Sequence, residues 1–334
     1  VALKVLRAGI LSTLQDLGRW GYQRFGVPVS GVMDEEAHRL ANWLVGNQDT
    51  EATIEMTLGG PSLGVTTDTL VAVCGGDFGG QLGGRPLPRA RPVLIKAGGT
   101  LEFRQCKVGF RAYLAVAGGY AVTPVMSSRS TFLRGGFGGF QGRALKRGDV
   151  LETGSVDGVR YPMLKHKLEC AGSVMAHPAW SATERVELLS GGPFQVRFIP
   201  GRHWEAFTDE ARKRFCEAGY VIGPDSDRQG YRLQGPVLQP HEPLEVISEG
   251  VTFGTIQVPP NGAPIVLMAS RQTIGGYPRL GEVVTVDLPL LAQLPPGTRL
   301  RFEPVTLEAA QALLIGRERE LHRMREAIQM QAGY

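Results

Sequence analysis

Long apolar runs are missing from this 334-residue chain. No stretch approaches the roughly 18 consecutive apolar residues that cross a bilayer, so no membrane span is expected. The opening Val1-Ala2-Leu3-Lys4-Val5-Leu6-Arg7 lacks the apolar core and cleavage site of a signal peptide, and a cytoplasmic location is the expectation. Cysteine is scarce. Cys74, Cys106, Cys170 and Cys216 lie far apart without C-x-x-C spacing, and the six histidines form no H-E-x-x-H motif. Buried thiols are expected, with neither disulfides nor an intrinsic metal. Charge of one sign is also lacking: the net charge is +4, with Lys and Arg scattered among Asp and Glu. That excludes the basic stripe of a nucleic-acid binder. No Gly-Lys pair occurs, which excludes a Walker A loop.

What is present is glycine, 45 residues of it, within an ordinary globular balance of 43% apolar and 20% charged residues. Such a length predicts two domains. Three helices are expected. Asp34 caps the first, which runs over 34–45 with Ala37, Leu40, Ala41 and Leu44 on one face. The second runs from about Thr208 to Glu217. The third starts at Thr306, with Leu307, Ala310, Leu313 and Leu314 in a stripe; beyond Gly316 it turns polar and is expected to project or fray. Elsewhere short strands alternate, at Leu101 and Phe103, Val186 and Leu188, Val196 and Phe198, Ile256 and Val258, Val284 and Val286, and Leu300 and Phe302. Frequent Gly and Pro turns between them predict barrels or sandwiches, not a doubly wound sheet. A turn–glycine–strand phrase recurs at Gly99, Gly148 and Gly297, which suggests two similar units, and residues 155–183 read as a linker.

Two motif-like stretches do not hold. Gly60-Pro61-Ser62-Leu63-Gly64 spells a serine nucleophile elbow, but the following 65–73 reads as a strand where that motif needs a helix. Residues 135–142 miss the dinucleotide fingerprint by register, since Gln141 stands in the third glycine's place; a hairpin tip and a phosphate loop are both open.

Four polar clusters remain. The first holds Gln15, Asp16 and Arg19, then Ser30 and Asp34, and runs into a helix carrying Arg39 and Asn42. Donors, a carboxylate and a guanidinium near a helix N-terminus suit an anionic or amide ligand, although a turn ion pair and a plain cap explain the same residues. The second, 225–233, holds Ser226, Asp227, Arg228 and Arg232. The third holds Glu249 and Gln257. The fourth, Ser270, Gln272, Thr273 and Tyr277, leaves the end of the apolar run 265–268. Polar residues at the end of a rigid strand are a common way to build a site.

In order, these phrases resemble the allophanate hydrolase subunit 2 family, which includes the carboxyltransferase part of urea carboxylase and the C-type component of 5-oxoprolinase. The matching text is 12–19, 26–47, Glu55 with Gly59-Gly60-Pro61, 127–131, Gly142-Arg143 with Gly148-Asp149, 226–236 and 248–287. The resemblance implies a mainly β fold of two cyclophilin-like β-barrel domains, a few short helices and a C-terminal helix. The implied division is 1–180, 181–304 and 305–334. It also implies partners, an allophanate hydrolase subunit 1-like protein and a LamB/YcsF-like subunit, and a reaction, the ATP-dependent opening of 5-oxoproline to L-glutamate. ATP with Mg would be the cofactor, its site open between this chain and a partner. Asp16, Asp34 and Asp227 are then candidates for acid, base or water positioning, and the remaining cluster residues for substrate binding. Two other readings stay open: biotin-dependent carboxyl transfer to urea or a related amide, and a non-enzymatic regulator of the subunit 1-like partner. Ser270 is a departure, because the family usually carries Asp there.

Overall fold

The computed structural model describes residues 2–154, 165–166, 169, 173–185 and 193–332. The expected strand at Val186 and Leu188, Cys170 and most of the expected linker lie outside them. Two compact units form. The first takes Val1–Arg19, Asp34–Leu189 and Glu320–Tyr334, the second Trp20–Met33 and Ser190–Arg319. The chain therefore leaves its first unit for 14 residues early on and returns. No local pattern in the sequence announces this.

In the first unit two six-stranded sheets enclose a core. The strand Ala2–Arg7 shows the period of two that a sheet with one buried face requires, Leu3 and Val5 buried and Lys4 and Leu6 exposed. The facing sheet differs. Its strands Thr53–Thr57, Thr69–Asp77 and Val108–Val116 are buried along nearly their whole length, because the first helix, α1 (Glu35–Leu44), packs on the face away from the core. Burial on both faces gives runs such as Val71-Ala72-Val73-Cys74 without alternation. Asp34 accepts from the Ala37 amide at 3.0 Å and caps α1, as its sequence predicts.

The second unit is a closed seven-stranded barrel. It closes where Phe194–Pro200 pairs in parallel with Arg299–Pro304. The helix α2 (Asp209–Glu217), capped by Thr208, brings Phe215 onto Phe302, ring centroids 4.5 Å apart and ring planes nearly parallel. Phe198 and Tyr220 pack edge-on or tilted around that pair. The mainly β architecture expected from the sequence is thus observed, with four α-helices among the described residues. None of them is long and apolar enough to cross a membrane.

Two expectations need correcting. Val284 and Val286 do not continue a strand. Arg279–Val283 ends there, and a 3-10 turn (Thr285–Asp287) leads into the short helix α3 (Leu288–Ala292), whose early Pro289 favours helix initiation. The turn presents the buried Asp287 to Arg197, which donates from Nε (2.9 Å), Nη2 (2.5 Å) and its backbone N (2.8 Å). Nor does the C-terminal helix fray after Gly316. As α4 it runs from Leu307 to Ala332. Leu321, Ile328 and Ala332 are buried in one stripe, and Arg325 stands over the Trp43 ring and near Asp49. The stripe is sparse but keeps helical spacing, and sparse anchors suffice when a long helix lies along a formed surface.

The glycine stretch 135–142 is a run of turns, the first of which, 133–136, is closed by an isolated bridge. Phe132 and Phe137 form that bridge, and a Cβ on Gly142 would meet the Gly136 carbonyl at 2.0 Å, so bare backbone is required.

Truncating the barrel's stacked pair should be costly. Phe302→Ala is expected to lose about 3–5 kcal/mol, read as a lowered denaturant midpoint of the barrel transition. An unchanged midpoint would mean that the ring contributes little. A second expectation concerns His38 of α1. Its Nε2 faces the Asp49 carbonyl (3.0 Å), which can only accept, so the neutral ring carries its proton there and Nδ1 accepts from Thr53 (2.9 Å). Complete burial holds the imidazole below its ordinary value, against the raising influence of the Asp49 carbonyl and nearby carboxylates. The unfolded chain then binds the extra proton more readily. Stability from this group is full above about pH 6.5 and declines as pH falls, by up to about 1.4 kcal/mol per unit. Unfolding free energies of wild type and His38→Gln between pH 7 and 5 check it: the variant's slope should be flatter.

Candidate functional site

The second unit gathers polar residues from three distant stretches at one end of its barrel. The turn 227–230 and the end of the strand Ile265–Leu267 run together, the Met268 amide donating to Gln229 O (2.9 Å) and the Ser270 amide to Arg228 O (2.7 Å). Across them lies the segment 20–33, which ends in a sharp bend. Ser30 and Gly31 both take positive φ, +57° and +92°. A non-glycine residue there stores roughly 1–3 kcal/mol. What holds it is visible. The buried Arg228 donates from Nη2 to the Gly31 carbonyl, and the Ser30 and Ser270 hydroxyls lie 3.3 Å apart.

The buried Gln257, paired in register with the first residue of the strand Ile265–Leu267, receives Gln272 Nε2 at Oε1 (3.4 Å) and directs its own Nε2 to the Tyr277 carbonyl (3.4 Å). Gly275 is obligatory here, since a Cβ on it would come within 2.4 Å of Gln257 Nε2. A small sheet, Glu249–Gly250 with Ile274–Gly275, frames the loop, and Thr273 O accepts from the Val251 amide at 3.2 Å. Glu249 pairs with Arg202 at 2.5 Å and Arg279 at 3.4 Å. Arg271, which sequence reasoning left out of the site, is 4% exposed and donates from Nε to Val251 O (3.3 Å). Burial brings its guanidinium down to about 10, opposed by Glu282. The signal was available: Arg271 directly follows a buried strand end.

Of the carboxylate candidates, Asp227 is exposed. Its Oδ1 takes the amides of Gln229 (2.7 Å) and Gly230 (3.2 Å), and its Oδ2 has no hydrogen bond among the described residues. Ser226 Oγ receives the amide of the exposed Arg232 at 3.0 Å. The barrel end can therefore offer a solvent-facing carboxylate, two buried guanidiniums, a hydroxyl pair and side-chain amides: groups that grip an oxyanion or an amide.

The other sequence candidates belong to the first unit. Asp16 is 5% exposed and fully occupied, its Oδ1 accepting from Gly18 N (2.8 Å), Ser128 Oγ (2.7 Å) and Ser130 Oγ (2.6 Å) and its Oδ2 from Arg129 N (2.5 Å). With both oxygens so engaged it anchors the loop 128–130. The fully buried Arg19 donates to Ser130 O at 2.5 Å and stands over the Phe137 ring, while its Nη1 has no partner. Desolvation lowers its pKa, with Asp16 opposing. Gln15 donates to Thr13 (3.0 Å) and Thr131 (3.2 Å), leaving Oε1 buried and unpartnered. Arg39 lies near Glu35 and Asp49 and over Trp43, and Asn42 closes the turn after α1 by donating to Glu51 O (2.9 Å) and accepting from Asn47 (3.0 Å).

Sequence reasoning gave no role to Tyr113. Its hydroxyl accepts from the Asp34 amide (2.8 Å) and donates to Glu55 Oε2 (2.9 Å). Burial first, then the charges of Glu55 and Asp34, push this phenol well above its usual range, so it stays a donor. Within a strand buried on both faces a tyrosine reads as core, and no local signal marks it. Burial also raises Cys74 well above the thiol range and Cys106 to about 11, which makes neither an activated nucleophile.

Residues 25–304 match the family model described as carboxyltransferase domain, subdomain A and B. The chain is 34% identical over 317 residues to the 5-oxoprolinase C-type component of Haemophilus influenzae, covering 95% of this chain and 96% of that one. It is 37% identical over 308 residues to the Escherichia coli protein of the same name, covering 92% and 93%. Among solved structures, the K. lactis urea amidolyase superimposes with a TM-score of 0.84 at 30% identity over 97% of this chain. The chain spans only 20% of that longer protein. A description matched across most of the chain, and relatives of nearly its own size, lead to one conclusion: the chain belongs to the carboxyltransferase domain (subdomain A and B) family.

Proposed function

We propose that this chain is the C-type component of an ATP-dependent 5-oxoprolinase, opening 5-oxoproline to L-glutamate with a subunit 1-like and a LamB/YcsF-like partner. The observation that carries the reading is identity, 34% and 37% to the two 5-oxoprolinase relatives against 30% and 31% to two yeast urea amidolyases. Both 5-oxoprolinase relatives are matched over more than nine-tenths of their own chains, whereas only 17% of a yeast urea amidolyase is matched.

The chemistry balances as 5-oxoproline, ATP and two waters giving glutamate, ADP and phosphate. A lactam carbonyl is a poor electrophile. Transfer of the terminal phosphoryl group of ATP to its oxygen makes the carbon open to water, and the ring nitrogen leaves as the protonated amine. Of the residues at the barrel end, Arg228 and Arg232 suit the substrate carboxylate or the phosphoryl charge. Asp227, with one oxygen uncommitted, suits the positioning of water. The hydroxyl pair of Ser30 and Ser270 and the amides of Gln257 and Gln272 suit the lactam N–H and C=O. ATP is a co-substrate of the assembly, and these 334 residues contain no Walker A sequence.

A second reading is favoured by the overlay on urea amidolyase at a TM-score of 0.84. It is carboxyl transfer from biotin to urea or a related amide. These 334 residues contain no Met-Lys-Met sequence, so biotin would not be attached within them.

One assay separates the readings. The chain alone is expected to be inactive. Mixed with its two partners, it should support 5-oxoproline-dependent ATP hydrolysis that avidin leaves intact. Loss of that activity to avidin would transfer the assignment to carboxyl transfer, and tight partner binding without turnover would leave a regulator. Within the active mixture, Arg228→Lys should lower turnover tenfold or more, since an ammonium cannot hold the Gly31 carbonyl and a ligand in one plane. Unaltered kinetics would remove Arg228 from the site.

A further inference from the structure

A cavity of about 360 Å³ opens in the first unit, beside the end of the strand Thr69–Asp77, and none of the groups discussed above lines it. Its charged lining is Arg89, Arg104, Lys107 and Asp77, three cations to one carboxylate. The carboxylate is already engaged: Asp77 Oδ1 accepts the Gly79 amide at 2.8 Å and fixes the loop that forms one wall. Arg89 is ion-paired to Glu184 through Nη2 at 2.8 Å and donates from the same nitrogen to the Gly75 carbonyl, while its buried Nε has no hydrogen-bond partner among the described residues. Arg104 is bound only to a neutral group, Gln81 Oε1 at 3.0 Å. Lys107 has no side-chain hydrogen bond or ion pair among the described residues, and its stem lies over Gly79, where a Cβ would meet Cε at 3.4 Å.

Arg89 is matched by Glu184, but Arg104 and Lys107 face the same concavity with no ion pair of their own among the described residues; such neighbours repel one another, and a bound anion relieves that repulsion. Two planar guanidiniums and one ammonium are the donor set for an oxyanion: the forks supply direction, the ammonium supplies charge. The space exceeds that of a bare inorganic ion and falls within the range of small-molecule sites. Pro86 and Leu87 give it an apolar wall for the carbon-bearing part of a ligand.

We propose that this cavity is a binding site for a small organic oxyanion, a molecule carrying a phosphate or a carboxylate group. The inference stands apart from the 5-oxoprolinase reading and uses none of the barrel-end residues. Either group occurs among that reaction's substrates, so the source is decided by measurement.

Titration calorimetry on the full chain at low ionic strength, with pyrophosphate, Mg·ATP and 5-oxoproline in turn, tests it. The control is Arg104→Gln with Lys107→Gln, both exposed positions whose replacement is expected to leave the thermal midpoint in place. At least one ligand should bind one-to-one to the wild type, with affinity falling at least tenfold in the double variant and falling with added salt. Binding of pyrophosphate and Mg·ATP assigns the phosphate group, and binding of 5-oxoproline alone assigns the carboxylate. If none of the three binds, or if the folded double variant binds as tightly as the wild type, the proposal is overturned. The outcome is separable from the assay of the three-protein mixture, which reads turnover at the barrel end.

Discussion

A buried guanidinium donating to a backbone carbonyl decides where the second unit can do chemistry. Arg228 is 7% exposed, and its bond to Gly31 O joins the segment 20–33 to the barrel strand it departs from in sequence by nearly two hundred residues. A desolvated cation is expensive unless acceptors meet it, so the carbonyl it bonds is firmly held. That hold allows Ser30 to remain in a left-handed conformation and places its hydroxyl against Ser270. Remove the guanidinium and the bend loses its main restraint, the hydroxyl pair separates, and the polar groups at the barrel end lose a common frame.

Carboxylates divide into two kinds by the company they keep. Asp16, Asp34 and Asp287 face backbone amides, hydroxyls or a guanidinium at close range and hold loops, a helix end and a turn in place. Asp227 is different, exposed and half committed. A carboxylate that must accept a proton or orient water needs an open lone pair, and engagement by several donors removes it. Proximity in sequence to an arginine says nothing about which kind a given aspartate will be. Asp16 and Asp227 each lie within three residues of an arginine and have opposite surroundings.

Much of the fold was legible because caps and alternation are local. Asp34 and Thr208 each precede helices that begin where their side chains require, and Leu101, Phe198 and Leu300 alternate as one-sided strands do. The limits are equally physical. Val284 and Val286 alternate too, but Asp287 has a partner ninety positions away, and that long-range pair outweighs strand propensity. Arg317 to Arg325 looked too polar to dock, yet three small or aliphatic contacts at helical spacing hold the helix. The site was half legible. Clusters at 226–232 and 270–277 stood out as polar text at strand ends, and the structure brings both to Ser30. Tyr113 and Arg271 did not stand out, because burial hides a polar group's role until its partner is known.

Ser270 shows how such a frame can accommodate a departure from the family's usual aspartate. A carboxylate at this position would sit beside the Ser30 hydroxyl, next in the chain to the buried Arg271 and one backbone hydrogen bond from Arg228, and would offset part of their charge. The hydroxyl cannot. Arg271, 4% exposed, is lowered by burial and opposed by Glu282. Fewer carboxylates beside a guanidinium leave it the stronger attractor of an anion. Serine in place of aspartate therefore removes one carboxylate from this stretch, and Asp227 is left as the exposed carboxylate whose second oxygen is uncommitted among the described residues.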